Sequence, residues 1–130
     1  VKNDTEGKLE NHIMKYLLLI YGVETDWVAM GKEDLEILYR AHMAYMEELR
    51  EAGAYVGGAE LRPAAEAGTV RFEQGVARMV DGPYAETKEH LGGYYVIEAE
   101  SLQAAMAWAA KMPGSDLNTA VEVRPLGMGA

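Results

Sequence analysis

The chain has 130 residues, with 12 basic against 21 acidic side chains and a formal net charge of -9. No basic run is present, so the electrostatic footprint of a direct nucleic-acid binder is missing. Cysteine is absent, which removes disulfides, thiolate metal sites and cysteine nucleophiles.

About half the residues are apolar, 49%, and 25% are charged. That balance and length suit one globular domain around one core. No Gly/Pro/Ser-rich linker, internal repeat or low-complexity stretch divides the chain. Val1 to Ile13 is polar and lacks a period, and it is expected to be a disordered or accessory extension, with one domain over residues 14–130. The apolar run Tyr16 to Tyr21 is far shorter than the ~20 residues of a membrane span. The cysteine-free composition fits a cytoplasmic protein.

Tyr16 to Tyr21, followed by Gly22, reads as a buried central strand. Glu24 to Gly31 reads as a loop carrying Trp27. Lys32 to Ala52 is the strongest helix. Glu33 and Asp34 in its first turn suit the helix dipole. Leu35, Leu38, Tyr39, His42, Tyr45, Met46 and Leu49 form one stripe at helical period, and Gly53 supplies the stop.

Ala54 to Leu61 reads as a second strand, with Gly57-Gly58 as a bulge or close approach, ended by Pro63. Thr69–Phe72 and Val76–Val80 form a hairpin around Gln74-Gly75. Asp81-Gly82-Pro83 is a turn. Ala85 to Leu91 is expected to form a turn of helix, broken by Gly92-Gly93, before a strand over Tyr94–Ala99. Ser101 is the expected N-cap of a helix running to about Met112, with Leu102, Ala105, Met106 and Ala109 inward. Ala120 to Arg124 alternates as the last strand. This order predicts an α+β fold, a ferredoxin-like antiparallel sheet with helices on one face. A second subunit in a two-fold homodimer is the simplest cover for the other face.

His42 is the one polar member of the long helix's apolar stripe. An imidazole there either bonds within the core or faces a cavity, where its near-neutral pKa suits acid/base work. Asp81 either initiates the turn through its side chain or aims a carboxylate into a pocket. The ring of Tyr84 and the ammonium of Lys88 could bind an acidic ligand; the competing reading of Glu86, Lys88 and Glu89 is a solvated surface. Gly92-Gly93 lacks the Lys-Ser/Thr of a phosphate loop, so close backbone packing explains it better. Three histidines without His-x-x-x-His spacing give no metal site, and no cofactor is expected. Ser101 and Ser115 do not suggest a catalytic triad.

The stretch from Asp81-Gly82-Pro83-Tyr84 through His90-Leu91-Gly92-Gly93-Tyr94-Tyr95 resembles the signature of DGPF-domain proteins of the YCII-related family, which usually have Phe at the place of Tyr84. Met14–Tyr21, Ala52-Gly53 with Gly57–Pro63, and Val121–Pro125 resemble further family strands, so the likeness spans about Met14 to Leu126. The resemblance implies a dimeric α/β-barrel of ferredoxin-like halves. It implies little about activity. Some relatives hold a His-Asp pair in a pocket, one resembles a lyase-type enzyme acting on chlorinated muconate-like acids, and others are linked to extracytoplasmic-function sigma factors. Ala41-His42-Met43-Ala44 matches the place of the relatives' histidine. Glu51 stands about where some have Asp, on a different helix face from His42.

Two functions follow as expectations. One is a cofactor-free enzyme in which His42, oriented by Asp81 or Glu51, moves a proton on a small polar or acidic substrate. The other is a non-catalytic ligand-binding or regulatory protein, compatible with sigma-factor-linked control.

Overall fold

The computed structural model describes residues 13–114 and 117–127. Nearly all of the expected N-terminal extension, His12 included, and Ser115 lie outside these residues. In chain order the elements are β1 (Met14–Gly22), α1 (Glu24–Val28), α2 (Lys32–Glu51), β2 (Tyr55–Glu60), a 3-10 turn (Ala64–Glu66), β3 (Gly68–Glu73), β4 (Val76–Asp81), β5 (His90–Ala99), α3 (Leu102–Ala110) and β6 (Ala120–Pro125). Two antiparallel sheets result. One has four strands in the order β2-β5-β1-β6, and the other is the β3-β4 hairpin alone. The described strands of one chain close no barrel. No described helix is long and apolar enough to cross a membrane.

Side-chain alternation sets the layers. Tyr16 and Leu18 on β1 and Tyr95, Ile97 and Ala99 on β5 are buried on one face, where they meet Tyr45 and Leu49 of α2 and Ala105 of α3. Leu17, Leu19, Tyr94 and Val96 point the other way and are only half-buried. The α2 stripe is as expected, and it divides: Tyr45 and Leu49 enter the core, while Leu35, Leu38 and His42 border open space. Gly53 at φ +71 ends the helix, where the Ala54 N–H donates to the Leu49 carbonyl at 2.8 Å.

Three local expectations are corrected. The expected loop after β1 contains α1, which turns Trp27 onto the glycines of the sheet. Ala85–Leu91 is not helical. β5 begins at His90 and runs straight through Gly92-Gly93, paired to β1 across a register shift beside Ile20 and Tyr21. Added side chains would collide there: a Cβ at Gly92 would overlap the Trp27 ring, and one at Gly93 would lie 3.0 Å from the Ala59 carbonyl oxygen. These glycines therefore admit neighbours rather than break the strand.

The third correction concerns α3. Ser101 caps it, its Oγ accepting from the Ala104 N–H at 3.1 Å. Ala105 is buried as expected, but Leu102 and Met106 are 44% and 52% exposed. Ala109 packs against the core as expected, and Ala104 and Trp108 face it in place of Leu102 and Met106. The Tyr45 hydroxyl, donating to the Trp108 carbonyl at 2.6 Å, together with edge contact between the two rings fixes that rotation. Trp108 offers more apolar area than Leu102 or Met106, so this face wins.

Candidate functional site

The N-terminal half of α2 stands off the sheet and leaves a cleft of about 550 Å³. That is within the ~300–1,000 Å³ range of small-molecule sites. Its apolar wall includes Ile20, Trp27, Met30, Leu35, Leu38 and Met46. Trp27 is placed by α1 and lies over Gly22 and Gly92. Glu24, also on α1, accepts the Ala64 N–H at 2.7 Å and so ties this wall to the turn after β2.

The polar end is built by three elements. His42 comes from α2, Tyr95 from β5, and Glu60 from the end of β2. His42 Nδ1 lies 2.7 Å from the Tyr95 hydroxyl. Gly58 makes this possible, because a Cβ there would sit 2.9 Å from the Tyr95 ring and 2.6 Å from the Tyr94 carbonyl oxygen. Period-two alternation puts Glu60 on the same side as Gly58. There it accepts a long 3.4 Å hydrogen bond from the Tyr39 hydroxyl of α2.

Burial pushes the His42 pKa down from 6.5, with the Glu60 charge partly opposing it. Burial and Tyr55 push the Tyr95 pKa up to about 12. Tyr95 therefore keeps its proton at neutral pH. It can donate to Nδ1, with the ring proton on Nε2, or accept from Nδ1–H, which leaves Nε2 as an open acceptor for a proton. Glu60 also raises the Tyr39 pKa.

The lowered His42 pKa has a sign. The unfolded chain takes up the proton first as pH falls, so the stability His42 contributes is fully present above 6.5 and is lost between 6.5 and the lower folded value. We expect the urea midpoint to drop on acidification from about pH 7.5 to about pH 5.5, and to drop less in His42→Gln. Equal slopes in the two proteins would show that burial does not disfavour the imidazolium.

His42 is thus the one sequence-nominated residue on the cleft wall. The structure does not bring the other candidates to it. Asp81 ends β4, exposed on the separate hairpin. Tyr84 is 77% exposed, with the Arg71 guanidinium 5.4 Å from its ring centre. Lys88 is exposed in the following turn, and Glu51 is exposed at the end of α2. Among the described residues no carboxylate hydrogen-bonds His42, and no cluster of three or more potential ligands could hold a metal ion.

The sequence did not nominate Tyr95, Glu60 or Trp27. A signal existed for Glu60, which follows Gly58 by two residues and so shares its face. His90 is a further half-buried group. Among the described residues its Nδ1 has no hydrogen-bond partner, and Glu24 lies 3.8 Å from it.

A family model described as the YCII-related domain matches residues 14–126. An uncharacterised protein of Rhizobium meliloti (strain 1021) is 37% identical over 116 residues, which cover 88% of this chain and 94% of that protein.

Proposed function

We propose a function for a chain that belongs to the YCII-related family: it holds a small polar molecule in the cleft beneath α2, and His42 exchanges a proton with that molecule without metal or cofactor. The observation that carries this reading is the His42–Tyr95 pair, 2.7 Å apart on the wall of a cleft of about 550 Å³. Tyr95 fixes the ring, and the other nitrogen is left for a ligand. Proton abstraction next to a carbonyl, or isomerisation, is the chemistry within reach.

The test uses phenylacetone, an uncharged carbonyl probe. In deuterium oxide the chain should accelerate exchange of the probe's α-protons, and His42→Ala should lose that acceleration. Amide NMR shifts on titration should centre on Gly58, Gly92 and Tyr95. Localised binding without exchange favours the second reading, a non-catalytic ligand-binding or regulatory protein of the kind sigma-factor-linked control would use. An even scatter of shifts would sink both.

The architecture belongs to the same proposal. The strand order and the β1-α2-β2 and β5-α3-β6 connections support a ferredoxin-like domain with the hairpin inserted. The motif from Asp81 to Tyr95 supports the DGPF branch. The helix-free sheet face and the apolar hairpin support a homodimer of the α/β-barrel kind, working in the cytoplasm.

A further inference from the structure

We propose that the cleft selects a ligand with an apolar, aromatic-sized body and a positively charged nitrogen, an amine rather than an acid. This rests on the reading of the cleft as a ligand site and narrows its ligand class.

The lining decides the sign. Glu24 and Glu60 are its carboxylates, and no Lys or Arg stands among the described lining residues. His42 is the one basic side chain there, and burial favours its neutral form. An acidic ligand would meet two like charges and no fixed cation. Burying an unpaired carboxylate is costly, and the net charge of -9 adds a long-range penalty.

The two carboxylates differ in how far they are committed. Glu24 already accepts the Ala64 N–H and faces His90. Glu60 is exposed at the rim, and its hydrogen bond is the long one from Tyr39. Arg62, the nearby cation, is held by Glu66 at 2.9 and 3.1 Å. Glu60 therefore keeps acceptor capacity for an incoming N–H donor.

Aromatic groups supply the rest. Trp27 lies against glycines on one side and lines the cleft, and Tyr39 stands beside Glu60. An ammonium group near such ring faces and a carboxylate gains cation–π attraction in addition to its ion pair. The body of the ligand would lie along Leu35, Leu38 and Met46. His42 lines the same cleft, so recognition by Glu60 and proton exchange at His42 act on one ligand.

Three probes with one body test the sign: 2-phenylethylamine, 2-phenylethanol and 3-phenylpropanoate, titrated by calorimetry and amide NMR against the full chain at low salt. The amine should bind about tenfold tighter than the alcohol, and the acid weaker than both. Added salt should reduce the preference, and Glu60→Gln should bring amine and alcohol close to parity. Glu60 is exposed, so the variant is expected to fold, and its far-UV spectrum checks this. If alcohol or acid binds as well as the amine, the cleft remains a ligand site and the cationic class is overturned. If the preference survives in Glu60→Gln, the role of Glu60 is overturned. If no probe moves the cleft amides, the ligand site falls together with its class.

Discussion

Ile97→Ala should lower stability by about 2–5 kcal/mol, the cost of a large-to-alanine change in a packed core. Ile97 is fully buried on β5, one of the two inner strands of the main sheet. It sits opposite Tyr16 of β1 and Tyr55 of β2, and it belongs to the same cluster as Leu49 and Ala105 of the two long helices. Four elements converge there, so none can collapse into the vacated space without moving another. Against a typical total of ~5–15 kcal/mol, the loss is a large share. Val96→Ala, on the helix-free face of the same strand, is the control and should cost less. Urea midpoints at one fixed protein concentration give the comparison, provided the slope is unchanged. A loss under about 1 kcal/mol for Ile97→Ala would mean that the core does not centre on this face.

The same packing separates what could be read in the sequence from what could not. The α2 stripe was legible because helical period is a local property, and seven residues obey it from Leu35 to Leu49. The hairpin was legible through Gln74-Gly75, whose positive φ values of 52° and 82° form the turn. The inward face of α3 was legible only at Ala105 and Ala109, because a local pattern weighs Leu102 and Met106 above Ala104. The choice belongs to Trp108, which meets Tyr45 63 residues earlier in the chain. The passage of β5 through two glycines depends likewise on Trp27, a residue far away in sequence.

The site follows the same rule. His42 was visible as the polar interruption of an apolar stripe. Its partner Tyr95 lies 53 positions away, and only the pairing of β5 with β1 and β2 brings that ring under α2. Asp81 heads a recognisable motif, yet motif membership carries no information about distance. The β3-β4 hairpin takes Asp81 away from the main sheet, whereas the end of the same motif delivers Tyr95 to the cleft.

Phe72→Asp combined with Met79→Asp should convert the protein from a species of twice the chain mass to a single chain. The register of the hairpin places Val70 opposite Met79 and Phe72 opposite Ala77, so these four side chains share one face. The other face carries Thr69, Arg71, Glu73 and Arg78 beside Val76 and Val80, with Arg78 and Glu73 paired at 3.2 Å. The hairpin is thus amphipathic, and its apolar face is uncovered: Phe72 is 75% exposed and Met79 79%. A two-stranded hairpin is marginal alone in water, and an exposed apolar face of this kind marks a contact surface. A second copy is the occupant we commit to, because the helix-free sheet face around Leu17, Leu19 and Val96 is a further apolar surface of the same chain. A two-fold pairing can cover both. Two charges placed at the centre of such an interface should weaken it by about 100-fold or more. The monomeric variant should keep its far-UV spectrum, since neither residue belongs to the core cluster. Sedimentation equilibrium at micromolar concentration reads the mass directly. A native protein already at single-chain mass, or a double variant that still sediments as a dimer, would remove the hairpin from the interface and leave its apolar face to a different protein.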